Sequence, residues 1–385
     1  TEVGLSKVWN ELLGLDGIPR SADFFELGGD SLRAVTLFLK IQQRFGKDLP
    51  LATLTHASTI AGLAKLIDGE GDAPDLSGYR SLQMIQQGDA SVAPLFLIHG
   101  GQGNVLVFNG FAKSLDPRQP VYAFQWPGWD GFAGSSDVDE LADDYCEELG
   151  RFLPEGPVRL GGYCIGGLVA VAMARRLGTA GRKVLGPLVV WDAPNLKSSR
   201  YRKEEPWDSA SVIADFNGMK EQLKAIRIPT TFDDANVPNS DFTPPAGRGA
   251  MIRKVPGLIT LLRVGKALRH NRRQAPRRRK TADYLKNGEA LPMGLRPEYC
   301  LDCMVKAAKH HRSSGHAGDM LYFRSDCVVS RYFGLNGWWN DPFLGFAELC
   351  EGNFEAHAIG GGHTDVLDIP EMEAIVREKF QGLEP

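Results

Sequence analysis

The sequence predicts an α/β fold: a mostly parallel sheet covered by helices on both faces, interrupted by a large helical insertion and preceded by a small four-helix unit. From about residue 81 onward, short apolar runs alternate with amphipathic stretches, which is the pattern of strands and covering helices. The strand rhythm then stops between Pro194 and Gly318, too long a gap for a structureless loop inside a compact domain. Residues before 70 show helical spacing only.

Taken in order, Val3, Leu5, Val8, Trp9, Leu12 and Leu13 recur on one helical face, and Gly14 and Gly17 end the run. A loop rich in Gly and Asp leads to a second helix over 32–45, closed by Gly46, then to a short turn through 53–57 and a last helix over 59–66. Residues 71–80 are small, acidic and aperiodic, the composition of a linker. The expected division is therefore a first domain over 1–70, a linker over 71–80 and a second domain over 81–385. Strands are expected at 95–98, 121–124, 158–162, 185–191, 320–323 and 354–359, with a helix over 167–177. The segment of approximately 195–318 reads as a helical lid over the active edge of the sheet.

Composition narrows the function classes. The chain has 385 residues, is 43% hydrophobic and carries a net charge of −3, so as a whole it shows no nucleic-acid footprint. No apolar run reaches the roughly 18 residues of a membrane span, and the N-terminus lacks a signal-type stretch. Six cysteines in a chain of this size do not form a disulfide framework. The expectation is a cytoplasmic protein with reduced thiols, free of nucleic acid and membrane partners. The missing initiator Met points to a piece of a larger chain.

Two motifs carry chemistry. The string Asp23-Phe24-Phe25-Glu26-Leu27-Gly28-Gly29-Asp30-Ser31 places Ser31 at a helix start after two glycines that keep the approach to it open. A helix N-terminus favours a phosphate; a serine there can also be no more than a helix cap. The second motif, Gly162-Tyr163-Cys164-Ile165-Gly166-Gly167, follows a strand and opens a helix. That context suits a nucleophile elbow, G-x-S-x-G with Cys164 in the serine position. Glycines flank the nucleophile because the turn is sharp.

The first string resembles the modification site of peptidyl carrier proteins of nonribosomal peptide synthetases, over roughly residues 1–70. The resemblance implies 4′-phosphopantetheine on Ser31, attached by a phosphopantetheinyl transferase. Residues 81–385 resemble the α/β-hydrolase thioesterases of the same synthetases. That resemblance implies an oxyanion hole from the N–H groups of Ile165 and Gly101, the latter in the His99-Gly100-Gly101 loop. It also implies an acid at Asp192, after the Val189-Val190-Trp191 strand, and a histidine at His363 in the Gly-x-His loop. A rival acid, Asp326, follows the 320–323 strand, where many other α/β-hydrolases keep theirs. His99 is read as shaping its turn. Cys300 and Cys303, with His310 and His311 downstream, lack the tighter ligand pattern of structural zinc, so no metal is expected. Cys146, Cys327 and Cys350 are read as packing residues.

A cysteine nucleophile separates the chain from most of this family. Attack by serine on a thioester yields a less reactive oxoester, whereas attack by cysteine is thioester exchange and leaves the acyl group activated. The chain looks like the subset with Gly-x-Cys-x-Gly that closes four-membered rings, β-lactams or β-lactones, and most like a monobactam-forming terminal portion. The implied sequence is delivery of a peptidyl thioester from the docked carrier domain, transfer to Cys164 and ring closure by the substrate's own nitrogen. Upstream synthetase domains would supply the peptide. β-Lactone formation, hydrolysis and macrocyclisation stand as alternatives, as does a non-catalytic carrier-docking module. The lid is basic between Arg263 and Lys280. Arg263 or Arg269 could face an anionic N-sulfonate, while most of the run reads as a solvated face or a contact for the carrier.

Overall fold

The structure is a computed structural model, and it describes residues 1–47, 49–70, 76, 78–199, 201–202, 275–325, 338–339, 343–363 and 365–381. Asp326, Cys327, Arg263 and Arg269 lie outside the described residues, as does most of the segment assigned to the lid.

The N-terminal unit consists of α1 (Glu2–Leu13), α2 (Ser31–Phe45) and α3 (Ile60–Asp68), with a 3₁₀ turn at Leu51–Thr55. Of the four helices expected, the third is thus this 3₁₀ turn, entered from Pro50 and too short for α-helical nucleation. Gly14 and Gly46 end α1 and α2 in left-handed conformation, φ 69° and 67°, where a side chain would be strained. The apolar stripes of these helices meet around Trp9, Phe24, Phe38 and Leu63, all fully buried. Trp9 and Phe24 pack edge to face at 5.2 Å.

The second unit is a seven-stranded sheet in the order β1-β3-β2-β4-β5-β7-β9. Its strands are β1 (Leu82–Gln86), β2 (Leu95–Ile98), β3 (Val121–Phe124), β4 (Arg159–Tyr163), β5 (Leu188–Trp191), β7 (Met320–Arg324) and β9 (Phe354–Ala358). Strands β6 (Tyr201–Arg202) and β8 (Trp338–Trp339) form a separate two-stranded ribbon. In the main sheet β1 is antiparallel to β3, and the other pairings are parallel. Strands β2, β4, β5 and β7 are buried throughout, as central parallel strands covered on both faces must be. The expected strands match these to within a few residues. β1 is the exception: Leu-Gln-Met-Ile-Gln is half polar, and an edge strand exposes that half.

The helices of this unit are α4 (Asn109–Ser114), α5 (Val138–Phe152) and α6 (Gly166–Thr179), then α7 (275–287), α8 (Arg296–His310) and α9 (Pro370–Phe380). Helices α7 and α8 are the described part of the expected lid. Glu148 of α5 receives the backbone N–H groups of Arg80, Ser81 and Leu82 at 2.9–3.1 Å, which ties the start of β1 to the core. The N-terminal unit contacts the sheet unit through Lys113–Asp23 at 3.0 Å and through Thr55, whose hydroxyl donates to the Met84 carbonyl at 2.9 Å. Among the described residues no helix is long and apolar enough to cross a membrane.

Candidate active site

In a parallel sheet the carboxyl ends of the strands share one edge, and ligand sites of α/β folds form there. Three neighbouring strands end in register at Tyr163, Trp191 and Phe323, so Cys164, Asp192 and the Arg324-Ser325 pair emerge side by side. Cys164 and Asp192 have φ values of 57° and 49°. Left-handed backbone is costly for non-glycine residues and concentrates at functional sites.

The bend at Cys164 is held from several directions. The Cys164 N–H donates to the Trp191 carbonyl at 2.7 Å and the Gly167 N–H to the Cys164 carbonyl at 3.0 Å. A side chain on Gly162 would collide with the Gly166 backbone, and one on Gly166 with the carbonyls of Ile98 and His99. The glycine spacing is therefore demanded by backbone passing against backbone. Gly100 is equally confined, because a Cβ there would come 2.6 Å from the Tyr163 ring and 3.5 Å from the Cys164 Cβ. The His99-Gly100-Gly101 loop thus lies against the elbow, with Ile165 at the cap of α6.

His363 arrives from the loop after β9. Its Nδ1 donates to Asp192 Oδ2 at 2.6 Å, and the Cys164 side chain is near enough to act on the ring. Burial alone would lower the basicity of the imidazole, yet the Cys164 sulfur and the Asp192 carboxylate push it up to about 10. Asp192 is fully buried. Burial raises its carboxyl, but the bond and charge of His363, the charge of Arg324 and the Ser325 hydroxyl hold it below the ordinary carboxylate range. The structure therefore brings Cys164, His363 and Asp192 into one line. Cys164 is 1% exposed, so bulk water has little access to the sulfur.

His99 behaves differently. Its Nδ1 donates to the Gly100 carbonyl at 2.7 Å and its Nε2 accepts from the Tyr145 hydroxyl at 2.8 Å. Burial depresses it to about 4, so a neutral ring braces the turn. Two residues of the site, Arg324 and Ser325, lie in no motif, and a third, Tyr163, lies in the elbow string at a position the motif leaves open. The Tyr163 ring stacks on His363 at 5.0 Å, and its hydroxyl donates to the His363 carbonyl at 2.8 Å. Arg324 and Ser325 both bind the Asp192 carboxylate. Their only trace in the sequence is their place at a strand end.

At the other motif the cap of α2 is Asp30, whose carboxylate accepts the Arg33 N–H at 2.8 Å. Ser31 is the first helical residue and not the cap. The loop before it is tied down by Asp23, which accepts from the Phe25 and Glu26 N–H groups and the Ser58 hydroxyl. A side chain on Gly29 would collide with Phe24.

Residues 4–67 match the family described as Phosphopantetheine attachment site and residues 93–234 the family described as Thioesterase domain. The chain carries a phosphopantetheine-binding domain followed by a thioesterase domain. This carrier–thioesterase is 40% identical over 185 residues to malpibaldin synthetase of Mortierella alpina, covering 48% of the chain and 3% of that protein. It is 31% identical over 228 residues to enterobactin synthase component F of Escherichia coli O157:H7, covering 58% of the chain and 17% of that protein. The chain thus spans a small part of these relatives. Among solved structures, a holo four-domain nonribosomal peptide synthetase bound to AMP and glycine aligns with a TM-score of 0.50 at 20% identity, over 100% of this chain and 26% of that one. That likeness concerns the fold. The carrier–thioesterase has the α/β-hydrolase-like architecture expected, with the small helical domain in front.

Two basic residues of the segment read as a lid, Arg277 and Arg278, are engaged by acids of α8. Arg277 pairs with Glu298 at 2.6 Å and Arg278 with Asp302 at 2.7 Å, and both arginines are at least half exposed. They join α7 to α8 on the outside. In α8, Cys300 is fully buried, and burial raises its thiol well above the ordinary range. Burial likewise pushes Cys146 to about 12.

Proposed function

We propose that the chain releases the product of a nonribosomal peptide synthetase by passing a peptidyl group to Cys164 and closing a four-membered β-lactam from it. The observation that carries this reading is Cys164 at a left-handed elbow, beside an imidazole whose Nδ1 rests on a buried carboxylate. When bound to Ser31, 4′-phosphopantetheine supplies a thiol that carries the acyl chain as a thioester.

His363, oriented by Asp192, takes the proton of Cys164, and the thiolate attacks the acyl carbonyl. The N–H groups of Ile165 and Gly101 receive the developing oxyanion; such donors are commonly worth about 3–4 kcal/mol each. The imidazolium of His363 then protonates the departing thiol. In the second half His363 takes a proton from the substrate's β-nitrogen. The new N–C bond forms as the C–S bond to Cys164 breaks, and the sulfur recovers its proton from His363. A thiolate leaves more readily than an alkoxide, which helps offset the strain of the ring.

Matched synthetic thioesters bearing a β-amino or a β-hydroxy group test the proposal. Loss of the thiol without gain of water from the β-amino substrate is expected. Cyclisation of the β-hydroxy substrate alone would assign the chain to β-lactones, and a product heavier by one water from both would make it a hydrolase.

A further inference from the structure

Asp192 is held by more than His363. Arg324, at the end of β7 and with its side chain 4% exposed, donates from Nη1 to Asp192 Oδ1 at 2.7 Å. The same nitrogen donates to the Ser325 carbonyl at 2.6 Å. The Ser325 N–H reaches Oδ1 at 3.2 Å and its hydroxyl reaches Oδ2 at 2.6 Å. The carboxylate is thereby fixed at both oxygens, with Oδ2 turned to His363. Strand β7 neighbours β5 in the sheet, so the clamp spans two strand ends.

Charge counting gives the clamp a purpose beyond geometry. The described charged or titratable groups facing this pair are Cys164 from the elbow after β4, Asp192 after β5, Arg324 on β7 and His363 after β9. Tyr163 adds a hydroxyl directed at the His363 backbone. Before acyl transfer these groups balance whether the Cys164–His363 proton sits on sulfur or on nitrogen. After transfer the sulfur is bound to carbon and carries no charge. The buried Asp192 carboxylate then favours the imidazolium form of His363, because an opposite charge at this distance favours the charged form. The Arg324 guanidinium on the same carboxylate opposes that pull and makes His363 a readier base.

We propose that Arg324, with Ser325 beside it, is a positioning residue that fixes Asp192 and neutralises it, so that His363 can accept the proton of the ring-closing nucleophile. This rests on the reading of Cys164, His363 and Asp192 as the reacting set. The bookkeeping is closed: the proton leaves the attacking nitrogen for His363 Nε2, the N–C bond forms, the C–S bond breaks, and the same proton returns to sulfur.

The test uses the full chain and an N-acetylcysteamine thioester of a short β-amino-acyl peptide, with acyl-enzyme formation and decay followed separately by quenched intact mass. Decay in the wild type rises with pH as His363 in the acyl-enzyme loses its proton. Arg324→Gln keeps a donor for Oδ1 and loses the charge. The expected result is a rising limb moved upward by at least about one pH unit, which is about tenfold in the protonation equilibrium, with melting curves confirming the fold. Arg324→Met should move the limb in the same direction and add a loss of up to about 100-fold from misplacement of Asp192. Arg324→Lys should return the limb toward its wild-type position. Ser325→Ala should slow decay without moving the limb. A limb unmoved in folded Arg324→Gln overturns the inference while leaving the site intact. Wild-type rates in Asp192→Asn would instead remove the reacting set on which it rests.

Discussion

Asp192→Asn exchanges one carboxylate oxygen for an amide nitrogen at a site where every lone pair is engaged. The wild-type carboxylate accepts from His363 Nδ1 at 2.6 Å, Arg324 Nη1 at 2.7 Å, the Ser325 hydroxyl at 2.6 Å and the Ser325 N–H at 3.2 Å. An asparagine has one acceptor oxygen, and Arg324, which can only donate, claims it. The amide nitrogen then faces His363 Nδ1, which must become an acceptor. The ring proton moves to Nε2, the nitrogen meant to take a proton from Cys164. Wrong-tautomer variants of hydrolase triads lose about 10⁴ in rate, and a thiol nucleophile needs less help from the base. The expected loss in acyl-enzyme formation is therefore about 10²–10⁴, or about 3–5 kcal/mol of barrier. Stability falls as well, since breaking a buried ion pair costs about 3–5 kcal/mol out of a total of about 5–15. Quenched intact-mass kinetics measure the first effect and thermal melts the second. A folded variant acylating within threefold of wild type would refute the assignment of Asp192 and turn attention to Asp326.

Three further outcomes follow from the same geometry. In Cys164→Ala the His363 ring loses the partner that raises it most, so its titration, followed by imidazole nitrogen NMR, should move from about 10 toward the ordinary value; an unchanged midpoint would mean that the sulfur and the ring do not interact. Because the raised value stabilises the folded state below the unfolded His value of about 6.5, the melting advantage of wild type over that variant should shrink as pH climbs from there to about 10. Asp30→Ala should lower stability by about 1 kcal/mol through loss of the cap while still accepting phosphopantetheine from coenzyme A and a transferase, whereas Ser31→Ala should keep its stability and gain no mass; the reverse pattern would make Ser31 the cap. Gly166→Ala drives a methyl group into the Ile98 and His99 carbonyls and should cost about 1–3 kcal/mol, seen as a lower melting temperature; no change would show that the elbow has room to spare.

The parts of the site readable from sequence are those where sterics confine the residue type. Gly162 and Gly166 are spaced by backbone contact, so the elbow shows as a string. His363 follows three glycines in a short loop after a strand. Asp192 is placed in sequence by its strand end and by the family resemblance, which favours it over Asp326. The structure ties Asp192 to His363 by a hydrogen bond across 171 positions that no local pattern records, and Asp326 lies outside the described residues. Arg324 and Ser325 act through a partner more than a hundred positions away and carry no signature of their own, and Tyr163 occupies a motif position open to any residue. Strand β1 has no sequence signal because its five residues, Leu82 to Gln86, neither form an apolar run nor alternate, and its pairing with β3 shifts register between Met84 and Gln86. The cap of α2 falls on Asp30 and not on Ser31, a difference of one residue that helical spacing does not resolve.

The most direct test of the central claim is the mass and position of the acyl group during turnover. With a synthetic β-amino peptidyl thioester, rapidly quenched wild-type protein should gain the acyl mass, peptide mapping should place it on Cys164, and the released product should lack the elements of water. Cys164→Ala should show neither adduct nor product. Ring product formed by that variant at the wild-type rate, or an adduct on any other residue, would contradict the account.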